Sequence, residues 1–133
     1  MMGFEEISHT ADWSVHVWAE DLPSLFAESA RAMNVLSGTR TGNGTPVTKT
    51  FETEAPDAES LLVAFLSELV YFQEQENVAF DRFELQVEGQ RLKAEMEGAQ
   101  VESVDKAIKA VTYHNLKIRE TNEGFETTIV FDV

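Results

Sequence analysis

With 133 residues and a hydrophobic fraction of 43%, the chain has the size and apolar content of one domain, spanning 1–133, around one core. It has no cysteine, which excludes disulfides and thiolate metal sites, so a metal would have to be held by carboxylates, carbonyls, histidine or water. Ten Lys and Arg against twenty-four Asp and Glu give a formal net charge of −14 with no basic run. That excludes the basic, counterion-releasing face that direct nucleic-acid binding requires.

The first eight residues carry Glu5 and Glu6 and no basic stretch, so they do not read as a signal peptide. Within residues 2–19 a turn is expected near Thr10 to Asp12. Val15, Val17 and Ala19 then alternate with Ser14, His16 and Trp18, which is a strand pattern. Asp21 offers an N-cap and Pro23 fits a first helical turn, where its missing N–H costs nothing. Leu22, Phe26, Ala30 and Met33 follow at helical spacing, and Gly38 marks the stop. Residues 38–46, rich in Gly, Thr and Asn, read as a loop, and residues 47–53 alternate as a second strand.

Asp57 is an N-cap for the next helix. Leu61, Leu62, Phe65, Leu66, Leu69, Val70 and Phe72 cover most of its circumference, which predicts the most buried helix of the chain, with Asn77 as its end. This longest apolar stretch is interrupted by Ser67 and Glu68 and is too short for a bilayer, so no membrane association is expected. Residues 80–87 and 91–96 alternate around Glu88-Gly89-Gln90 as a hairpin. Val104, Ala107, Ile108 and Val111 have the spacing of a short third helix. Residues 115–120 and 125–133 read as a closing hairpin around Asn122-Glu123-Gly124.

The order is therefore β-α-β-α-β-β-α-β-β. It predicts an α+β fold, a mixed and largely antiparallel sheet with helices packed on it. The helix-then-strands pattern recurs in the two halves, as an internal duplication would produce, although no residue-level repeat accompanies it.

Four features carry chemistry. His9-Thr10-Ala11-Asp12 sets an imidazole and a carboxylate three residues apart, which can act together only across a turn or bulge. Lys109, Tyr113 and His114 place a cation, a phenol and an imidazole at the end of the expected third helix. Asp132 lies beside Val133 and its carboxylate, and a docked strand end with two neighbouring carboxylates calls for a compensating cation or donor. His16 and Trp18 share one strand face. No nucleophile–base triad is visible, and Gly42-Asn43-Gly44 lacks the lysine and helix of a phosphate loop. On residues alone this is an acidic α+β domain with a candidate site for a hard cation. Such a domain could be a small metal-dependent phosphoesterase built on His9, Asp12 and His114, or a protein-binding, chaperone-like module.

Several separate segments, in order, resemble one family. FEEISHTADWSVHV at 4–17 is similar to the opening of the archeases, with their HTAD; residues 21–33 resemble their first helix. IKAVTYHNLKI at 108–118 and the closing IVFDV at 129–133 resemble the family's most recognisable segments. Ser8 and Glu102 depart from the pattern, standing where many members carry an acidic residue and a histidine. The resemblance implies an α+β accessory protein of the RtcB-type RNA ligase in cytoplasmic tRNA splicing and RNA repair. It would promote guanylylation and multiple turnover of the ligase and not be the catalyst. It further implies a metal site on Asp12, Asp132 and the Val133 carboxylate, with Lys109, His9, His114 and Tyr113 as further functional residues. Oxygen-only ligands suit calcium, magnesium or manganese better than zinc, and calcium is the first expectation.

Overall fold

The computed structural model describes residues 1–7 and 13–133. The elements run β1 (Gly3–Ile7), β2 (Trp13–Ala19), α1 (Leu22–Ser37), β3 (Arg40–Thr41), β4 (Val47–Glu54), α2 (Ala58–Glu76), β5 (Val78–Glu88), β6 (Arg91–Ser103), β7 (Ala110–Val111), β8 (Arg119–Thr121) and β9 (Gly124–Asp132). The fold is α+β, as expected.

Both helices start and stop where local chemistry dictates. The Asp21 carboxylate accepts the Ser24 amide at 2.8 Å, satisfying one of the free donors at the start of α1. Gly38 closes it in the left-handed region at φ 66°, where a Cβ would be strained. Asp57 caps α2 by accepting the Ser60 amide at 2.7 Å, and this bond holds its carboxyl below the usual aspartate range. Asn77 ends α2, also left-handed, at φ 57°.

Two antiparallel sheets hold these helices. The larger has the order β1-β2-β9-β7, with β8 also paired to β9; the smaller has the order β3-β6-β4, with β5 on the other side of β6. Every pairing among the described residues is antiparallel, so the expected mixed sheet is instead uniform. Tight turns join β5 to β6 and β8 to β9, connections that only antiparallel neighbours can use, since parallel pairing needs long crossovers.

The core lies between the helices and the inner sheet faces. Val15, Val17, Ile129 and Phe131 of the large sheet and Leu92, Ala94 and Met96 of the small one meet Leu25, Phe26, Leu61, Phe65 and Leu66. The Phe26 and Phe65 rings stack with centroids 6.0 Å apart, and Phe83 meets Phe65 edge-on at 5.9 Å. Each such buried aromatic or aliphatic side chain contributes roughly 1.5–3 kcal/mol.

Three elements differ from the sequence reading. Residues 104–109 are not helical; the chain runs irregularly and then pairs as β7 with the end of β9. Ile108 and Val111 are buried, so the apolar spacing is satisfied by docking an irregular segment, and the β-branched residues Val104, Ile108, Val111 and Thr112 favour that outcome over a helix. The element order accordingly has two helices among the described residues. β3, inside the expected loop, pairs Arg40 with Ser103 and Thr41 with Val101. β6 runs on past Met96 to Ser103, because Gly98 lets β5 pass at very close range. A Cβ at Gly98 would lie 1.9 Å from the carbonyl oxygen of Ala79, next to the register shift between Phe80 and Arg82.

Candidate functional site

β9 ends on Phe131, Asp132 and Val133. Phe131 is fully buried, and strand alternation turns Asp132 to the opposite face, where it is exposed. Val133 is half-buried against the core, so this end of the chain is docked.

Neighbouring strands fix the backbone here. Ala110 of β7 stands opposite Asp132 and Val111 opposite Phe131. The Lys109 amide donates to the Asp132 carbonyl at 2.8 Å, and the Thr112 amide to the Val130 carbonyl at 3.0 Å. On the other flank Trp13, first residue of β2, stands opposite Phe131. The segment read as a helix thus runs irregularly into β7, and it brings the Lys109 backbone to Asp132.

The side chains are less crowded than the backbone. Asp132 and Lys109 make no ion pair among the described residues. Lys109 lines a groove of 560 Å³ between the C-terminal ends of α1 and α2 and the 104–109 segment, together with Met33, Val70, Gln73 and Ile108. Lys106, which sequence reasoning missed, lays its ammonium 5.8 Å from the centre of the Trp13 ring. Its spacing of three residues from Lys109 was the one available signal.

Tyr113 and His114 belong to the turn after β7, not to a helix end. Tyr113 is 60% exposed, and its carbonyl accepts the Leu116 amide at 3.1 Å. The His114 amide donates to Thr112 Oγ1 at 3.2 Å, and its exposed ring faces the Asn115 side chain at 3.3 Å. Glu102 lies near Gly42 at the end of β6: a Cβ at Gly42 would be 3.0 Å from its carboxylate. His9, Asp12 and Ser8 lie outside the described residues, and among the described residues no three His, Asp or Glu side chains form a metal-holding group. What the described part offers a cation is an exposed carboxylate without an ion-pair partner, on a strand end fixed by pairing, with oxygen as its donor atom. That donor chemistry fits a hard divalent ion.

No helix among the described residues is long and apolar enough to cross a membrane. Two solved structures share the fold: a Thermotoga maritima archease described as a possible chaperone and Methanobacterium thermoautotrophicum protein 1598. The first has a TM-score of 0.71 at 22% identity, covering 97% of this chain and 96% of that one. The second has a TM-score of 0.73 at 21% identity, covering 98% and 99%. Among relatives, the archease of Methanosarcina acetivorans is 34% identical over 140 residues, covering 98% of this chain and 95% of the relative. That of Pyrococcus abyssi is 31% identical over 133 residues, covering 93% of each. Residues 4–133 match the Archease protein family, and the chain belongs to that family.

Proposed function

We propose that this protein is a cation-binding activator of an RtcB-type RNA ligase, working in the cytoplasm in tRNA splicing and RNA repair. It promotes guanylylation of the ligase and its multiple turnover, and the ligase remains the catalyst. Asp12, Asp132 and the Val133 carboxylate are the proposed ligands of a hard divalent cation, with calcium first and magnesium or manganese as alternatives. When bound, that ion supplies the positive charge that lets neighbouring carboxylates share one place.

One observation carries the reading: the register at the end of β9. Trp13 stands opposite Phe131, so the residue that follows Asp12 in the chain faces the residue that precedes Asp132. Lys109 is brought to the same end by its amide bond to Asp132. Asp132 offers an acceptor on a fixed backbone, and Lys109 and Lys106 place two cations nearby for an anionic partner group. The net charge of −14 supports docking beside a basic ligase site, where complementary potentials speed encounter.

The test mixes the protein with the RtcB-type ligase of its own organism, GTP and manganese. Faster guanylylation and more than one turnover per ligase are expected. Unchanged guanylylation and turnover would overturn the proposal.

A further inference from the structure

The His16 and Trp18 pair, on the outer face of the large sheet, takes no part in the site above. Glu126, beside it, is six residues along β9 from Asp132, about 20 Å at strand rise. Sheet register sets a transverse row of Gly3, Trp18, Glu126 and Arg119 across β1, β2, β9 and β8, and His16 stands opposite Thr128 in the next row.

Each member of this patch is held. The Trp18 ring lies over Gly3, where an added Cβ would fall 2.6 Å from Cζ2, so the indole occupies the space a side chain would take. His16 sits 5.6 Å from it, ring centre to ring centre, tilted by 34°. The His16 ring also reaches Thr128 Oγ1 at 3.3 Å and Glu126 at 3.4 Å. The segment bearing Lys117 and Arg119 is anchored from below: Thr127 Oγ1 donates to the Lys117 carbonyl at 2.9 Å, and the Ile118 amide donates to Glu59 at 3.0 Å.

The His16–Glu126 pair divides two hollows. One, of 360 Å³, is lined by Trp18, Phe125 and Asn122; the other, of 180 Å³, by Lys117, Arg119, Asn115 and Thr128, and His16 and Glu126 line both. Acids outnumber bases by more than two to one in this chain; Arg31, Arg40, Lys49, Arg82 and Arg91 have carboxylate partners, whereas Lys93, Lys106 and Lys109 make no ion pair among the described residues. Lys117 and Arg119 make no ion pair among the described residues, although Arg119 stands directly across from Glu126. Two cations without an ion pair among the described residues thus line the smaller hollow together with Glu126, next to an aromatic-walled larger one.

We propose that this face binds a single nucleoside monophosphate. The base lies in the larger hollow against Trp18, the phosphate meets Lys117 and Arg119, and the Glu126 carboxylate between them accepts from ribose hydroxyls. Phosphate alone would leave the aromatic wall unused, and a neutral sugar would leave the cations unmatched. The net charge of −14 opposes a longer polyanion, so the site takes one nucleotide, either free or at the end of an RNA strand.

The test uses the full chain carrying Trp13→Phe, which leaves Trp18 as its sole tryptophan. Its fluorescence is titrated with adenosine monophosphate, adenosine, inorganic phosphate and a triribonucleotide with a terminal phosphate. Saturable quenching by the monophosphate is expected, with adenosine and phosphate each about tenfold weaker or more. Lys117→Gln with Arg119→Gln should weaken the monophosphate about tenfold and leave adenosine unchanged, a split that a folding defect would not produce. Gly3→Ala should weaken both. Tighter binding of the triribonucleotide assigns the site to an RNA end, and equal or weaker binding to a free nucleotide. The proposal is overturned if neither phosphorylated ligand quenches Trp18 at millimolar concentration, or if the double variant binds the monophosphate as well as its parent.

Discussion

The backbone amide of Lys109 donates to the carbonyl oxygen of Asp132 at 2.8 Å, joining two residues 23 positions apart in sequence. This bond and the Thr112–Val130 bond at 3.0 Å tie the IKAVTYHNLKI segment to the end of β9. The first consequences concern this junction.

Lys109→Pro removes the amide donor and should cost on the order of 1 kcal/mol, more if the ring also disturbs β7. Lys109→Ala keeps the amide and should leave stability within about 0.5 kcal/mol. Urea unfolding of the two variants checks this. Equal midpoints would show that the junction contributes nothing.

Asp132→Asn should leave the fold intact, because the side chain is exposed and the strand pairing uses only its backbone. On the proposed function it should weaken calcium or manganese binding by at least about tenfold and reduce ligase stimulation in step. Calorimetric titration with each metal and a guanylylation assay measure the two effects. Normal cation binding by the variant would remove Asp132 from the ligand set.

Gly98→Ala places a methyl 1.9 Å from the Ala79 carbonyl oxygen and 2.6 Å from Phe80 Cα, both backbone atoms that cannot swing aside. The β5–β6 ladder must open, at a cost of about 3 kcal/mol or more. A thermal midpoint close to that of the parent would show that the ladder adapts cheaply.

Asp57 gives a pH dependence of known sign. Its carboxyl is held below the ordinary value of 3.8 by the hydrogen bond from the Ser60 amide, so the native state favours the charged form. A depressed folded value contributes stability that is present above 3.8 and lost as pH falls through the folded value. Parent protein should therefore exceed Asp57→Ala in melting temperature at neutral pH, with the gap narrowing as the solution is acidified below 3.8. A gap that widens on acidification would contradict the assignment.

Much of this architecture is written locally. Asp21 and Gly38, and Asp57 and Asn77, bracket the two helices in sequence as in space, because caps and 3.6-residue periodicity act within one turn. The turns at Gly89-Gln90 and Asn122-Glu123 were legible for the same reason, and so was the buried face of Val15, Val17 and Ala19. HTAD, IKAVTYH and FDV pointed to the family without any coordinates. The tertiary structure decided the rest. Val104, Ile108 and Val111 have helical spacing, yet this segment adds β7 to β9, because the open edge at Val130 and Asp132 supplies partners that no local pattern encodes. Only pairing across the sheet sets Lys109 beside Asp132, or Trp18 and His16 beside Glu126 and Thr128, more than a hundred residues away. Strand register is a long-range choice, fixed by which faces the whole core can bury, and for that reason composition and periodicity show the elements but not which side chains meet.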